Sequence, residues 1–557
     1  MDTRKISDGI SVSPQITPDD VSEIAKLGFR SIICNRPDGE GADQPTFDEV
    51  ARAAVKAGLE ARYLPIVSGK VSDRDADDFG QALDALPKPV FAYCRTGTRS
   101  ATLWSLSQAT RLGASEILRA TKAAGYDMGG VVRRIVNGGK TPTDNGDARY
   151  DVVIVGGGAA GISVASSLQA RRSGLEIAII DPADIHYYQP GWTMVGGGVF
   201  DASTTAQTMG SLIPKGVHWI KAAVAAFEPK DDAIVLDGCR VVKYGRLIVC
   251  PGLKLDWHRI EGLVETLGRN GVTSNYRYDL APYTWELVSS MHEGEAVFTQ
   301  PPMPIKCAGA PQKALYLSGD HWYRNGAINN INIGFYNAGG VLFGVKDYVP
   351  ALEKYIDRYG AELNFFHNLV AIDGVAKKAW FDVVKPDSAV QRVEKSFDMI
   401  HVCPPQVAPD FIRVSPLADA AGWVDVDQST LRHKTFANIW SLGDVMNAPN
   451  AKTAAAARKQ APVVAENVVA DIDGKSPIAQ YDGYGSCPLT VERGRIVLAE
   501  FGYGGALRPS FPKWLIDGTH PSRLAWLLKE KILPPIYWKA MLRGKEWMAK
   551  PEKISAN

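Results

Sequence analysis

The stretch YDVVIVGGGAAGISVASSLQARRSGLEIAIID, residues 150–181, narrows the fold of this chain more than any other feature. An apolar run, VVIV, leads into a turn that carries Gly156, Gly158, Ala160 and Gly161. A helical pattern follows, and a second apolar run ends on Asp181. The glycines of a GxGxxG turn let the backbone bend tightly and approach a pyrophosphate at a helix N-terminus, and the acid accepts a ribose hydroxyl. The motif is specific here because strand, helix and acid are all in place. An acid at position 181 favours an unphosphorylated ribose, hence FAD or NAD over NADP.

At 557 residues the chain exceeds one ordinary core, so roughly three or four domains are expected. A net charge of +1 gives no broad basic surface for nucleic acid. The cysteines, at 34, 94, 239, 250, 307, 403 and 487, form no CxxC pair, and no metal constellation is predicted. The N-terminus lacks an apolar signal stretch, and no run is long enough to span a bilayer, so a cytoplasmic chain with reduced thiols is expected. Residues 1–136 alternate strand and helix patterns as a small α/β domain. Residues 137–149, NGGKTPTDNGDAR, read as a linker. Residues 150–508 read as a core of two Rossmann-like domains, the second inserted around 295–405. The fold class is therefore α/β throughout, ending in a C-terminal segment, 509–557, of different character.

That segment holds Trp514, Trp526, Trp538 and Trp547, and its nine Lys/Arg outnumber four Asp/Glu. SRLAWLLKEKIL and PIYWKAMLRGKEWM read as short amphipathic helices broken by Pro534 and Pro535. Aromatic, basic, amphipathic helices favour the lipid interface over a spanning position. A packed helical pair or an oligomer contact is the alternative.

Several stretches, HYYQPGWTMVGGG (186–198), PIKCAGAPQKALYL (304–317), ADAAGWVDVD (418–427), GDVMNAPNAKTAAA (443–456) and YDGYGSCPL (481–489), resemble the sulfide:quinone oxidoreductases, in the branch that includes the mitochondrial enzyme. The resemblance runs from about 150 to 545. It implies FAD as cofactor, sulfide and a ubiquinone-type quinone as substrates, a thiol as sulfur acceptor, and a position peripheral to the inner membrane on its cytoplasmic side. It also implies that Gly443, Asp444 and Lys452 bind the flavin. Residues 1–136 resemble the phosphatase-like, rhodanese-like domains found beside sulfur-oxidising enzymes.

The residues themselves argue against a nicotinamide acceptor. In flavoproteins with two dinucleotide sites, a second glycine motif follows the first strand of the inserted domain. Here AVFTQ leads instead into PPMPIKCAGAPQ, with Cys307 where the glycines would be needed. Cys307 follows Lys306 and precedes a helix, and both favour thiolate. Its partner is open. The family's usual cysteine after Gly-Asp is Val445 here, and Cys487 is the candidate substitute. Cys250 and Cys403 read as core, and His186 as structural or flavin-adjacent.

Cys94 opens CRTGTRS after the apolar run PVFAY, with Arg95 and Arg99 expected to line an anion cradle. Its C-x4-R spacing resembles sulfurtransferase loops and is one residue short of the phosphatase C-x5-R. Phosphate-ester cleavage also wants a general acid, for which Asp73 and Asp38 are the candidates. Two alternatives stay open: a flavoprotein carrying a phosphatase or an anion-binding regulatory module, and an NADH:quinone dehydrogenase.

Overall fold

Strand Ala148–Val155 changes character along its length: its last four residues are all buried, as befits a strand covered on both faces. The computed structural model describes residues 2–41, 44–141, 148–237, 240–385 and 389–554. Cys239 and the 142–147 part of the expected linker lie outside the described residues.

The chain divides into two compact units. The first comprises Met1–Arg149, Ala222–Lys243 and Asp410–Leu417. Its five-stranded sheet has the order Arg4–Ser7, Ile10–Ser13, Val90–Tyr93, Ser31–Cys34, Glu60–Tyr63. The central strands are parallel, with an antiparallel hairpin at one edge. Helices Phe47–Lys56 and Asp73–Ala85 each begin with a capping box, at Thr46 and Ser72, which satisfies otherwise unpaired N–H groups. The end of the domain is tied down: Lys140 pairs with Asp77 at 2.5 Å, and the Thr141 N–H donates to Asp73 at 3.0 Å. The hairpin strands Val224–Glu228 and Ala233–Leu236 belong to this unit, with Arg133 pairing Glu228 at 3.1 Å. Residues 1–136 therefore do not contain all the contacts of their own unit.

The second unit carries two parallel sheets. In one, His218–Ile220, Ile177–Ile180 and Ala148–Val155 lie side by side, and Leu247–Val249 pair with Ile439–Ser441. Helix Ala159–Arg171 starts with small residues, AAGISVASS, and leans closely on helix Ala454–Ile472, which Thr453 caps through Ala456 N–H. The other sheet has the order Val272–Thr273, Met399–His401, Gly294–Gln300, Ile331–Asn337, Glu362–Phe365, all parallel. Helices Ala310–Asn325 and Val349–Tyr359 connect its strands. A hairpin, Gly485–Glu492 with Arg495–Phe501, packs against helix Ala310–Asn325.

The C-terminal segment differs from its expectation. Pro534 and Pro535 do not break the helix. Helix Arg523–Leu527 passes into a wider π-turn, Leu528–Ile532, and resumes as Leu533–Lys539 with both prolines in its first turn. Proline lacks the N–H that an α-helix would need there but is tolerated where a helical stretch starts. Among the described residues no helix is long and apolar enough to cross a membrane.

Candidate active site

A cavity of about 550 Å³ opens in the second unit. Gly156, Gly158, Ala160, Asp181, Gly443, Asp444, Lys452 and Cys307 all line it. Gly156 has φ +105°, and a Cβ there would sit 2.5 Å from the Cys250 carbonyl oxygen, so only glycine fits. A Cβ on Gly158 would meet nothing within 4 Å, which leaves its backbone open to a ligand at the start of helix Ala159–Arg171. Gly161 does not line the cavity; a side chain there would collide with the Gly156 carbonyl. Asp181 accepts from Gly157 N–H at 2.6 Å and from Ala183 N–H at 2.8 Å. A second lone pair on each oxygen stays available for ribose hydroxyls.

At the other end of the cavity, Lys452 donates to the carbonyls of Asp444 (2.7 Å) and Met446 (2.8 Å) and lies 4.3 Å over the Trp423 ring. Burial pushes its ammonium down to about 8, while burial raises the Asp444 carboxyl. The side chains of Trp192, Thr193 and Asn275 are buried, line the same cavity and hold polar atoms with no partner in the protein. Buried orphan atoms of this kind are costly. Together with the open glycine turn they fit a large polar cofactor such as a flavin dinucleotide.

Cys307 lies in the turn before helix Ala310–Asn325, with φ +49°. For a residue with a Cβ this left-handed conformation costs on the order of 1–3 kcal/mol. Two hydrogen bonds hold it: Cys307 N–H to the Lys452 carbonyl at 2.8 Å, and Ala310 N–H to the Cys307 carbonyl at 2.6 Å. The result is a sulfur aimed at a second sulfur. Cys307 Sγ and Cys487 Sγ are 3.3 Å apart. A Cβ on Gly309 would lie 2.7 Å from Cys487 Sγ, so the approach needs glycine there.

The two thiols are held in opposite states. The hydrogen bond from Cys487, then Lys313 and Lys529, hold Cys307 well below the ordinary thiol range despite burial. That same hydrogen bond, followed by burial, pushes Cys487 well above it. The cation on Cys307 is Lys313, whose Nζ donates to Sγ at 3.1 Å. Lys306, the neighbour expected to act, turns away to Gln189 Oε1 at 2.6 Å. Lys313 was legible in hindsight as a lysine on the helix that follows the cysteine.

Lys529 had no sequence signal. It comes from the C-terminal π-turn, is 3 % exposed, and donates to the Pro190 carbonyl at 2.8 Å. Burial, then Lys313, pushes it down to about 7. Tyr537, from the same segment, meets His186 Nε2 at 2.6 Å. His186 in turn touches the Gly157 carbonyl at 3.2 Å. Part of the segment expected to face lipid therefore closes the cavity. Val445 is fully buried, Cys250 is raised by burial, and burial pushes Cys403 up to about 12.

In the first unit Cys94 directly follows the central strand, Val90–Tyr93, and is buried, with Gly97 N–H donating to its Sγ at 3.2 Å. Arg95 is exposed. Arg99 is buried and spends its terminal nitrogens elsewhere: on the carbonyls of Asn35 (3.2 Å) and Ile66 (2.6 Å), and on Glu40 at 2.9 Å. It braces the loop's surroundings and is not donated to the Cys94 sulfur. Asp73 is a poor general acid. Burial raises it, but Thr141 and Arg134 outweigh that, and the net shift is downward. Asp38 caps Phe47 N–H at 2.8 Å. Among the described residues no group could hold a metal ion.

Two family models match separate stretches of the chain. The model for pyridine nucleotide-disulphide oxidoreductases matches residues 150–284, and that for the phosphatase-like domain of beta-lactamase hydrolase-like proteins matches residues 2–111. Over 402 residues the chain is 42% identical to the mitochondrial sulfide:quinone oxidoreductase of Dictyostelium discoideum, covering 72% of this chain and 87% of that one. Over 129 residues it is 33% identical to a beta-lactamase hydrolase-like protein of Xylella fastidiosa, covering 23% of this chain and 30% of that one. The solved sulfide:quinone oxidoreductase of Aquifex aeolicus superposes with a TM-score of 0.60 at 17% identity, over 72% of this chain and 92% of that one, which is a likeness of fold.

Proposed function

Because this chain belongs to the sulfide:quinone oxidoreductase family, we propose that it oxidises sulfide at Cys307 and Cys487 and passes the electrons through bound FAD to a membrane quinone. The observation that carries this is the 3.3 Å sulfur pair, with Lys313 on Cys307, in the loop where a second nucleotide would need glycines. FAD is the flavin favoured by Asp181 on the glycine turn and by Asp444 and Lys452 at the far end of the cavity.

Hydrosulfide attacks the oxidised pair, breaking its S–S bond. The thiol with the lower pKa leaves more readily, so Cys307 departs as thiolate and Cys487 takes the new sulfur as a persulfide. An external thiol then removes the outer sulfur as its own persulfide, returning Cys487 to a thiol. Re-forming the disulfide releases two electrons and a proton. Lys313 holds the thiolate in place throughout, and the buried walls around Cys487 keep water from the persulfide. The flavin supplies the two-electron acceptor that hands the pair to the quinone.

The first domain is of the phosphatase-like type. Our reading of it is sulfur transfer: Cys94 thiolate takes the outer sulfur of a persulfide and releases the carrier thiolate. The short C-x4-R loop supports this, and so does the lack of a free acid at Asp73. We place the protein peripherally at a membrane, on its cytoplasmic side, through exposed Trp514, Leu515, Leu524, Leu527 and Trp547.

Anaerobic titration tests the main reading. Sulfide should bleach the flavin absorbance within the dead time in which NADH does nothing. Bleaching by NADH with sulfide inert returns the chain to the NADH:quinone dehydrogenase reading. For the first domain, the full chain incubated with glutathione persulfide should show one added sulfur on the Cys94 peptide, absent in Cys94→Ser. Cys94-dependent hydrolysis of an aryl phosphate without sulfur uptake would favour the phosphatase.

A further inference from the structure

Within the second unit, five guanidiniums surround an open cleft of about 820 Å³ that takes no part in the sulfur chemistry. They arrive from separate elements. Arg324 ends helix Ala310–Asn325, and Arg358 lies on helix Val349–Tyr359. Arg493 and Arg495 flank Gly494 at the hairpin turn, and Arg523 opens helix Arg523–Leu527. Glu492, the carboxylate in the lining, pairs with Arg358 at 2.7 Å and Arg495 at 3.0 Å. Asp320 pairs with Arg324 at 2.9 Å. Glu530 feels Arg493 but is held by Lys531 at 2.9 Å and Trp526 Nε1 at 2.6 Å.

Five cations thus face three carboxylates. Among the described residues, the guanidiniums of Arg493 and Arg523 have no hydrogen bond or ion pair. Arg358 is fixed over the Tyr323 ring at 4.5 Å, so the cleft does not simply splay to relieve repulsion. Gathering like charges on rigid elements is unfavourable unless an anion offsets it, and the guanidinium fork matches phosphate oxygens in particular. The helix that carries Arg523 also exposes Leu524 at 48% and Leu527 at 47%. An unpaired guanidinium and two exposed leucines within one short helix match a lipid surface, where headgroup and acyl boundary are a few ångströms apart.

We propose that this cleft binds the phosphodiester headgroup of an acidic phospholipid, with Leu524 and Leu527 resting in the acyl boundary beside it. The assignment rests on the reading of the C-terminal segment as a lipid-facing one and adds to it a site with charge selectivity.

The test is flotation of the flavin-loaded full chain with two vesicle types, phosphatidylcholine alone and an equal mixture with phosphatidylglycerol. Wild type should prefer the mixture. Arg493→Ser/Arg523→Ser should lose about 30-fold in affinity for the mixture, or about 2 kcal/mol at about 1 kcal/mol per basic side chain. It should bind phosphatidylcholine as before and keep wild-type turnover with sulfide and a short-chain quinone. Lys26→Ser/Lys56→Ser, with the same charge loss elsewhere, should keep the preference. An unchanged preference in the arginine variant overturns the site while leaving the membrane reading standing. Failure of wild type to float with either vesicle overturns the membrane reading, and this inference with it. Stabilisation by inorganic phosphate, lost in the arginine variant and without any vesicle preference in wild type, gives the cleft to a soluble phosphate and overturns the lipid assignment.

Discussion

At Cys307 the hydrogen bond from Cys487 and the ammoniums of Lys313 and Lys529 all act toward thiolate, against the burial that opposes it. Removing one of them shows its share. Lys313→Met should raise the Cys307 pKa, so at neutral pH less thiolate is present. On the acid limb of the pH–rate profile sulfide-dependent turnover should fall roughly tenfold per pH unit of displacement, and that limb should move upward. A profile that keeps its shape with a lower plateau would mean that Lys313 only packs. The Lys529 ammonium is itself displaced. It is pushed from the ordinary 10.5 to about 7, chiefly by burial. Between those values the unfolded chain holds a proton that the folded one lacks, so stability rises with pH across the window, by up to about 1.4 kcal/mol per unit. The burial penalty is full below about 7 and gone above 10.5. The melting temperature of wild type relative to Lys529→Met should therefore climb from about pH 7 to about pH 9. A flat difference would mean that Lys529 stays charged in the folded state.

Among the elements, those set by local pattern were legible and those set by distant packing were not. The glycine turn, its strand and its helix follow from spacing, because a strand–turn–helix has to satisfy its backbone locally. The alternating strands and helices of the first 136 residues could be read from the same periodicity. Cys307 was legible as a thiol in the place of a nucleotide motif. Lys529 was not, because no local rule brings residue 529 to residue 307. The π-turn has no local signature, because a proline pair reads as a break, whereas Pro534 and Pro535 sit at the start of a resumed helix and leave the preceding carbonyls to a wider turn. That turn sets the direction of Lys529. Replacing both prolines by alanine should favour a regular α-helix, since proline costs about 3 kcal/mol in a helix interior. Lys529 would then rotate away from the sulfurs. Turnover should fall although helix content by circular dichroism holds or rises; unchanged turnover would show that the turn is incidental.

At the scale of the whole molecule, the C-terminal segment has two faces, and truncation would confuse them. Lys529 and Tyr537 close the cavity, and the Leu542 carbonyl accepts from Ser166 at 2.9 Å. Trp514, Leu515, Leu524, Leu527 and Trp547 are exposed. Changing these five to serine should abolish flotation with vesicles and raise the KM for a long-chain quinone, while turnover with a short-chain quinone stays within about twofold, since surface changes are usually small in energy. Loss of short-chain turnover as well would make the outer face part of the catalytic fold. The opposed titration of Cys307 and Cys487 has a further consequence, for poisoning. Electrophiles react with thiolates, and at this site the chain offers one only while the pair is reduced. In the proposed cycle the disulfide form presents no thiolate there, so a chain starved of quinone, with electrons backed up and the pair open, would be the vulnerable one. Toxicity of a thiol-reactive agent toward this enzyme would then depend on the respiratory state of the cell more than on the dose alone.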